Sequence, residues 1–136
     1  GKDVTLVTYG STWRIVMEAA EELEKIGISA EVIDVQSVVP FDLDHEIAES
    51  VKKTNRLVVI DEDVEGGTSA FIMQQILEKQ KAFRYLDSDP VTICAENHRP
   101  AYASDGDYFS KPSADDMIEK IYAMFNEINP EKFPQI

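Results

Sequence analysis

Four acids fall within five residues at Asp61, Glu62, Asp63 and Glu65, directly after the apolar run Leu57 to Ile60 and directly before Gly66 and Gly67. Carboxylates crowded at a strand end suit a divalent cation, a phospho-acceptor or a basic partner, and they repel a phosphate. The first two chemistries need carboxylates converging from more than one strand end. The first strand pattern ends in Tyr9 and Gly10 and supplies none, while Asp3 stands at its opposite end.

Gly10, Ser11 and Thr12 precede a helical pattern, and free N–H groups at a helix start bind anions. Neither a G-x-x-x-x-G-K-[ST] nor a G-x-G-x-x-G spacing is present, so capping of the helix is the simpler role. His45, His98 and Cys94 are the remaining candidates for proton transfer or nucleophilic attack. His45 falls in the first turn of an amphipathic helix, and Cys94 lies in an apolar strand pattern, where a lone cysteine is a small core residue. His98 stands beside Arg99 with no triad or two-carboxylate spacing around it, which favours a structural or interface role.

The elements that must position these residues follow from periodicity. Val4–Tyr9, Ala30–Val35, Leu57–Ile60 and Pro90–Ala95 read as strands, and the unbroken apolar run Leu57–Ile60 is the kind buried on both faces of a parallel sheet. Between them, Trp13, Val16, Ala20 and Leu23 recur at helical spacing and end at Gly27. A second helix has Asp42 as its cap, acids in the first turn and Lys52 and Lys53 in the last. A third starts with Thr68 or Ser69 as cap, buries Ile72, Met73, Ile76 and Leu77, and frays near Lys79–Ala82. Residues 96–112 show no period but carry Tyr102, Tyr108 and Phe109, which predicts an ordered loop. A last helix, opening at Ser113, buries Met117, Ile121, Met124, Phe125 and Ile128 and stops at Pro130, leaving a short tail.

Alternation of strand and helix predicts an α/β fold with three layers, α/β/α, around a mainly parallel sheet. With strand order 2-1-3-4, the switch point lies between the ends of the first and third strands, so Gly10–Thr12 faces the acidic loop.

The chain has 136 residues, 43% of them hydrophobic, which suits one domain; no stretch approaches the roughly 20 apolar residues of a membrane span. A net charge of −13 argues against nucleic acid and anionic membranes and leaves a basic partner open. The single cysteine fits a reducing, cytoplasmic setting. No leader pattern precedes the first strand, so the segment is expected to come from a longer chain.

Four stretches in order, DVTLVTYGST (3–12), AEVIDVQSVVPFD (30–42), LVVIDEDVEGG (57–67) and NHRPAYASDGDYFSKPSADD (97–116), together resemble the C-terminal transketolase domain of the beta subunit of 2-oxo acid dehydrogenases. The run DGDYFSKP is most similar to the branch in which alpha and beta regions are fused. The resemblance implies a parent enzyme, of the pyruvate or branched-chain 2-oxo acid type, that decarboxylates its substrate with thiamine diphosphate and Mg²⁺ and passes the acyl group to a lipoyl arm. It places that chemistry in other domains: no catalytic residue, cofactor or metal is expected on residues 1–136. This domain would pack against its twofold mate and the remaining domains, and help recruit the basic subunit-binding domain of the acyltransferase core.

The interface candidates are then Asp61, Glu62, Asp63, Glu65, His98, Arg99, Tyr102, Tyr108 and Phe109. Many members of the family carry a histidine where this chain has Asp61, so a role tied to that histidine does not transfer. Members also have an antiparallel edge strand before the position of Asp3; only Gly1 and Lys2 stand here, which predicts an exposed sheet edge beside the second strand. A second reading, from another class, is a stand-alone flavodoxin-like or receiver-like module that binds a small ligand at the loops after strands 1 and 3.

Overall fold

The structure is a computed structural model and describes residues 1–35, 42, 45–64, 67–95 and 114–134. Its strands are β1 (Val4–Thr8), β2 (Ala30–Asp34), β3 (Leu57–Val64) and β4 (Val91–Ala95), all parallel, in the order β2-β1-β3-β4. The helices are α1 (Trp13–Lys25), α2 (Glu46–Thr54), α3 (Thr68–Gln74, continued by a π-helical turn at Gln75–Lys79) and α4 (Ala114–Ile128). This is the three-layer arrangement and strand order that the patterning predicts. β2 forms one edge of the sheet, and among the described residues no strand pairs with its outer side.

Side chains alternate across the sheet and divide the core in two. Val4 and Leu6 of β1 with Val58 and Ile60 of β3 pack against α1 and α4, through Val16, Ala19, Leu23, Met117, Ile121 and Phe125. Val7, Leu57 and Val59 face the other way, onto Ile47 and Val51 of α2 and Ile72 and Ile76 of α3. Leu57 through Ile60 are all fully buried, as expected of a central parallel strand. Trp13 departs from its predicted place on the apolar face: it stands 43% exposed at the start of α1.

Local signals set the helix ends. The Asp42 carboxylate accepts the N–H groups of Glu46 (3.0 Å) and Ile47 (2.9 Å), and Gln80 Oε1 accepts that of Ala48 (3.1 Å), so three first-turn donors of α2 are satisfied. Asn55 closes α2 in the left-handed region (φ 64°), its N–H on Val51 O. The segment after α4 is more than a tail. Phe133 is buried edge-on against Phe125 (5.4 Å) and Tyr122 (6.0 Å), Asn126 Nδ2 donates to Phe133 O (2.7 Å) and Tyr122 Oη to Pro134 O (2.8 Å).

One polar contact joins β1 to α2 inside the core. The Thr5 hydroxyl is buried and lies 2.7 Å from both Ser50 Oγ and Thr54 Oγ1. Replacing Thr5 with Val removes one partner from each of two hydroxyls, while Thr54 keeps Arg56 O at 3.0 Å and Ser50 keeps Glu31, so Thr5→Val is expected to cost about 0.5–1.5 kcal/mol in urea unfolding. A neutral effect would show that Ser50 and Thr54 re-pair without it.

At the β2 edge, Lys53 donates to the Glu31 carboxylate. Burial alone would push the Glu31 carboxyl up, but the hydrogen bonds from Lys53 and Ser50 outweigh it and hold the carboxyl below its ordinary value of 4.5. A group whose folded value lies below its unfolded value adds stability in full above pH 4.5, and that stability is lost as pH falls through the folded value. The pair is half exposed and screened by solvent, so Glu31→Gln should cost less than about 1 kcal/mol at pH 7. In denaturant titrations the gap between the two proteins should close in acid. A gap that widens below pH 4.5 would contradict this role for Glu31.

Candidate functional site

Parallel α/β sheets present functional groups at the carboxyl ends of their strands, beside the switch point in strand order. Here that point lies between β1 and β3, which pair directly, Thr8 opposite Ile60. After β1 the chain turns through Gly10, whose φ of 68° suits glycine, into a single 3₁₀ turn at Gly10–Thr12 that leads into α1. Thr12 Oγ1 donates to Tyr9 O (2.8 Å), so the 2.6 Å contact between Thr8 and Thr12 is made by the Thr8 proton. Both threonines are buried. Their hydroxyls stitch the turn together and are spent within the fold, which removes them from an anion cradle.

On the facing side, β3 does not stop at Ile60 but runs to Val64. Its pairing with β4 continues through an irregularity, in which the four-residue step Ile60 to Val64 faces the two-residue step Ile93 to Ala95. Backbone pairing therefore carries the acidic residues 61–63 as strand, where side-chain propensity alone predicts a loop.

Asp61 corrects the sequence reading most clearly. It is fully buried, and its Oδ2 accepts the N–H of Ser69 at 3.1 Å in the first turn of α3. Alternation along β3 accounts for this direction: Leu57 and Val59 face the α2/α3 layer, and Asp61 is the next residue of that series. Its carboxylate supports the start of α3 from inside the fold, and it does not contribute to an acidic docking surface. Gly67 rather than Thr68 or Ser69 holds the N-cap position of α3, and the buried Ser69 hydroxyl has no hydrogen-bond partner among the described residues. Glu62 and Asp63 follow as backbone in β3, with side chains outside the description; Glu65, His98, Arg99, Tyr102, Tyr108 and Phe109 all lie outside the described residues. His45 is exposed at the start of α2, in the left-handed region (φ 55°), and Cys94 is half-buried in β4.

Among the described residues, no three His, Cys, Asp or Glu side chains converge to hold a metal ion. Open grooves lie on both sides of the sheet among the described residues. One, of about 640 Å³, follows α3 from Ser69 to Glu78 and is bordered by Phe83 and Thr92. Another, of about 490 Å³, follows the outer face of α4 from Asp115 to Asn126, beside Ile26.

Arg56 is a residue that periodicity passes over. At the opposite end of the sheet it donates to Asp3 O (3.1 Å), pairs with Asp87 (3.3 Å) and lies over the Phe125 ring (4.8 Å). It fastens the start of β1 to α4. Its only sequence signal is a cation placed directly before the most apolar strand of the chain.

Comparison with known proteins agrees with this architecture. Residues 1–116 match the family described as "Transketolase, C-terminal domain". The pyruvate dehydrogenase E1 component subunit beta of Rhizobium meliloti is 34% identical over 125 residues, which is 91% of this chain and 26% of that protein. The mitochondrial subunit of the same name from Dictyostelium discoideum is 43% identical over 105 residues, 76% of this chain and 29% of that protein. The chain thus spans between a quarter and a third of these two relatives. Among solved structures, a split-gene transketolase described as an inactive beta4 tetramer superposes with a TM-score of 0.68 at 26% identity, over 93% of this chain and 39% of that one. With most of its length matched in sequence and its sheet matched in space, the chain belongs to the transketolase C-terminal domain family.

Proposed function

We propose that this chain is the assembly domain of a thiamine diphosphate-dependent 2-oxo acid dehydrogenase of the pyruvate or branched-chain type, without an active site of its own. The observation that carries the proposal is the match of nearly the whole chain to about a quarter of a pyruvate dehydrogenase E1 beta subunit. In this reading the parent enzyme decarboxylates a 2-oxo acid and hands the acyl group to a lipoyl arm, in the cytoplasm. The domain packs against a twofold-related copy and the remaining domains, and its acids attract the basic subunit-binding domain of the acyltransferase core.

The donors described here do not fit a diphosphate held through Mg²⁺. Such a site needs several oxygen ligands converging on one cation. Asp61, the described carboxylate at the switch point, is buried and engaged by Ser69 N, and the Thr8 and Thr12 hydroxyls are turned inward. No step of the decarboxylation is therefore assigned to these residues. The same features weigh against a flavodoxin-like or receiver-like module, which would need open hydroxyls or free carboxylates at that point.

Two measurements test this function. Thermal unfolding of the 136-residue chain should not shift with thiamine diphosphate and Mg²⁺, with Mg²⁺ alone or with flavin mononucleotide. A bound ligand at 100 times its dissociation constant would add about 2.7 kcal/mol, and a shift with flavin or Mg²⁺ alone would favour the stand-alone module. The second measurement separates the inward acid from its neighbours. Asp61→Ala should destabilise the fold by about 0.5–2 kcal/mol through loss of the α3 cap, with Asp61→Asn retaining part of the effect. Glu62→Lys with Asp63→Lys should leave the melting temperature nearly unchanged and slow association with the basic subunit-binding domain, most strongly at low salt. Unchanged association rates in the double variant would remove residues 62 and 63 from the docking surface.

A further inference from the structure

We propose that the face around the 3₁₀ turn Ala82–Tyr85 is a docking site for an acidic segment of a partner protein that carries one apolar anchor residue. Phe83, in this turn, is 65% exposed, the most exposed large apolar side chain among the described residues. It borders the groove of about 640 Å³ along α3, whose apolar wall is made by Ala70, Met73 and Leu77. Lys79, Lys81 and Arg84 flank Phe83 in sequence, and all three are exposed.

Charge selects the occupant. Residues 68–86 carry three bases, Lys79, Lys81 and Arg84, and one acid, Glu78, in a chain whose net charge is −13. The Glu78 carboxylate accepts Gln74 Nε2 at 3.3 Å, and among the described residues no ion pair engages any of the three cations. Lys52 of α2 joins the same face, its Nζ 5.9 Å from the centre of the Tyr85 ring. At physiological salt the Debye length is about 8 Å, so a carboxylate placed beside these cations is attracted by them and screened from the distant acids. Nucleic acid or an anionic membrane spreads its charge over a wider area and meets those acids as well. A second copy of this chain brings a further −13, so self-association here is opposed.

The apolar wall selects the anchor. Val91 and Ile93 of β4 pack on the α1/α4 side, so Thr92 faces the opposite side of the sheet, where it is exposed and borders the groove. A strip of β4 beside α3 is thus left uncovered among the described residues. An aromatic or long aliphatic side chain laid against Phe83, Met73 and Leu77 buries apolar surface on both partners, and the unbranched Met73 adapts to its shape. Exposed aromatic residues next to arginine are the side chains that most often dominate the energy of such contacts. The inference concerns this face alone, calls for a partner opposite in charge to the one proposed above, and stands whether or not the chain serves a dehydrogenase.

The test is fluorescence anisotropy of the 136-residue chain, at about 0.15 M salt, with a labelled Glu/Ser peptide that carries one central Phe and with the same peptide carrying Ser in place of Phe. The Phe peptide should bind, and the Ser peptide should bind several-fold more weakly. Lys79→Glu with Arg84→Glu should weaken binding of the Phe peptide about tenfold or more, and Phe83→Ser, an exposed change that leaves charge untouched, should weaken it several-fold. Arg14→Glu with Lys120→Glu, an equal change of net charge on the α1/α4 side, should change binding less than about twofold. Failure of the Phe peptide to bind, equal losses from the two charge pairs, or unaltered binding by Phe83→Ser would each overturn the proposal. So would a dimer in sedimentation that Lys79→Glu with Arg84→Glu dissolves, because it would assign the face to a second copy.

Discussion

The direct pairing of β1 with β3 is the constraint on which the rest of the molecule depends. Both strands are buried on both faces, so each must supply two apolar surfaces at once, and each does so by alternation. The pairing also creates the switch point: the chain leaves β1 toward α1 on one side of the sheet and leaves β3 toward α3 on the other. Gly10–Thr12 and the acidic stretch are neighbours only because of that topology. Register then decides what the acids do. Once Thr8 stands opposite Ile60, Asp61 is the next residue inward on the α3 side.

The interior is fastened by a few polar contacts at places where helices meet strands, and these fall at opposite ends of the sheet. At the carboxyl end, Asp61 holds the first turn of α3 and Thr8 holds Thr12. At the amino end, Arg56 links Asp3, Asp87 and the Phe125 ring, while Thr5 reaches Ser50 and Thr54. Buried polar groups of this kind are costly unless paired, so they favour one packing of helix on sheet over shifted alternatives.

Much of the fold was legible because the deciding interactions are local or periodic. Leu57–Ile60 announces a doubly buried strand by composition, and Asp42 announces the start of α2 by its position four residues before Glu46. The βα alternation implied a parallel sheet with right-handed crossovers, and the pairing bears out the order 2-1-3-4. The features that were not legible depend on partners distant in sequence. The extension of β3 to Val64 rests on pairing with β4, against the low strand propensity of Asp and Glu. Phe133 is buried because α4 presents Tyr122 and Phe125 beside it, which a pattern of prolines and polar residues conceals. For the candidate site, the acids were visible as acids, while the inward turn of Asp61 was not, since it follows only if the strand continues past Ile60, which pairing with β4 decides.

Gln80 carries a consequence for how the molecule opens. Its side-chain amide reaches Asp42 Oδ2 at 2.9 Å while its carbonyl oxygen accepts Ala48 N–H, so the residue that ends the α3 segment also helps close the start of α2. Two crossovers that are separate in sequence thereby share one latch. Any opening of the π-helical turn at Gln75–Lys79 that moved Gln80 would leave the first-turn amide of Ala48 without this acceptor. The end of the α3 segment and the start of α2 are thus tied to each other through one side chain.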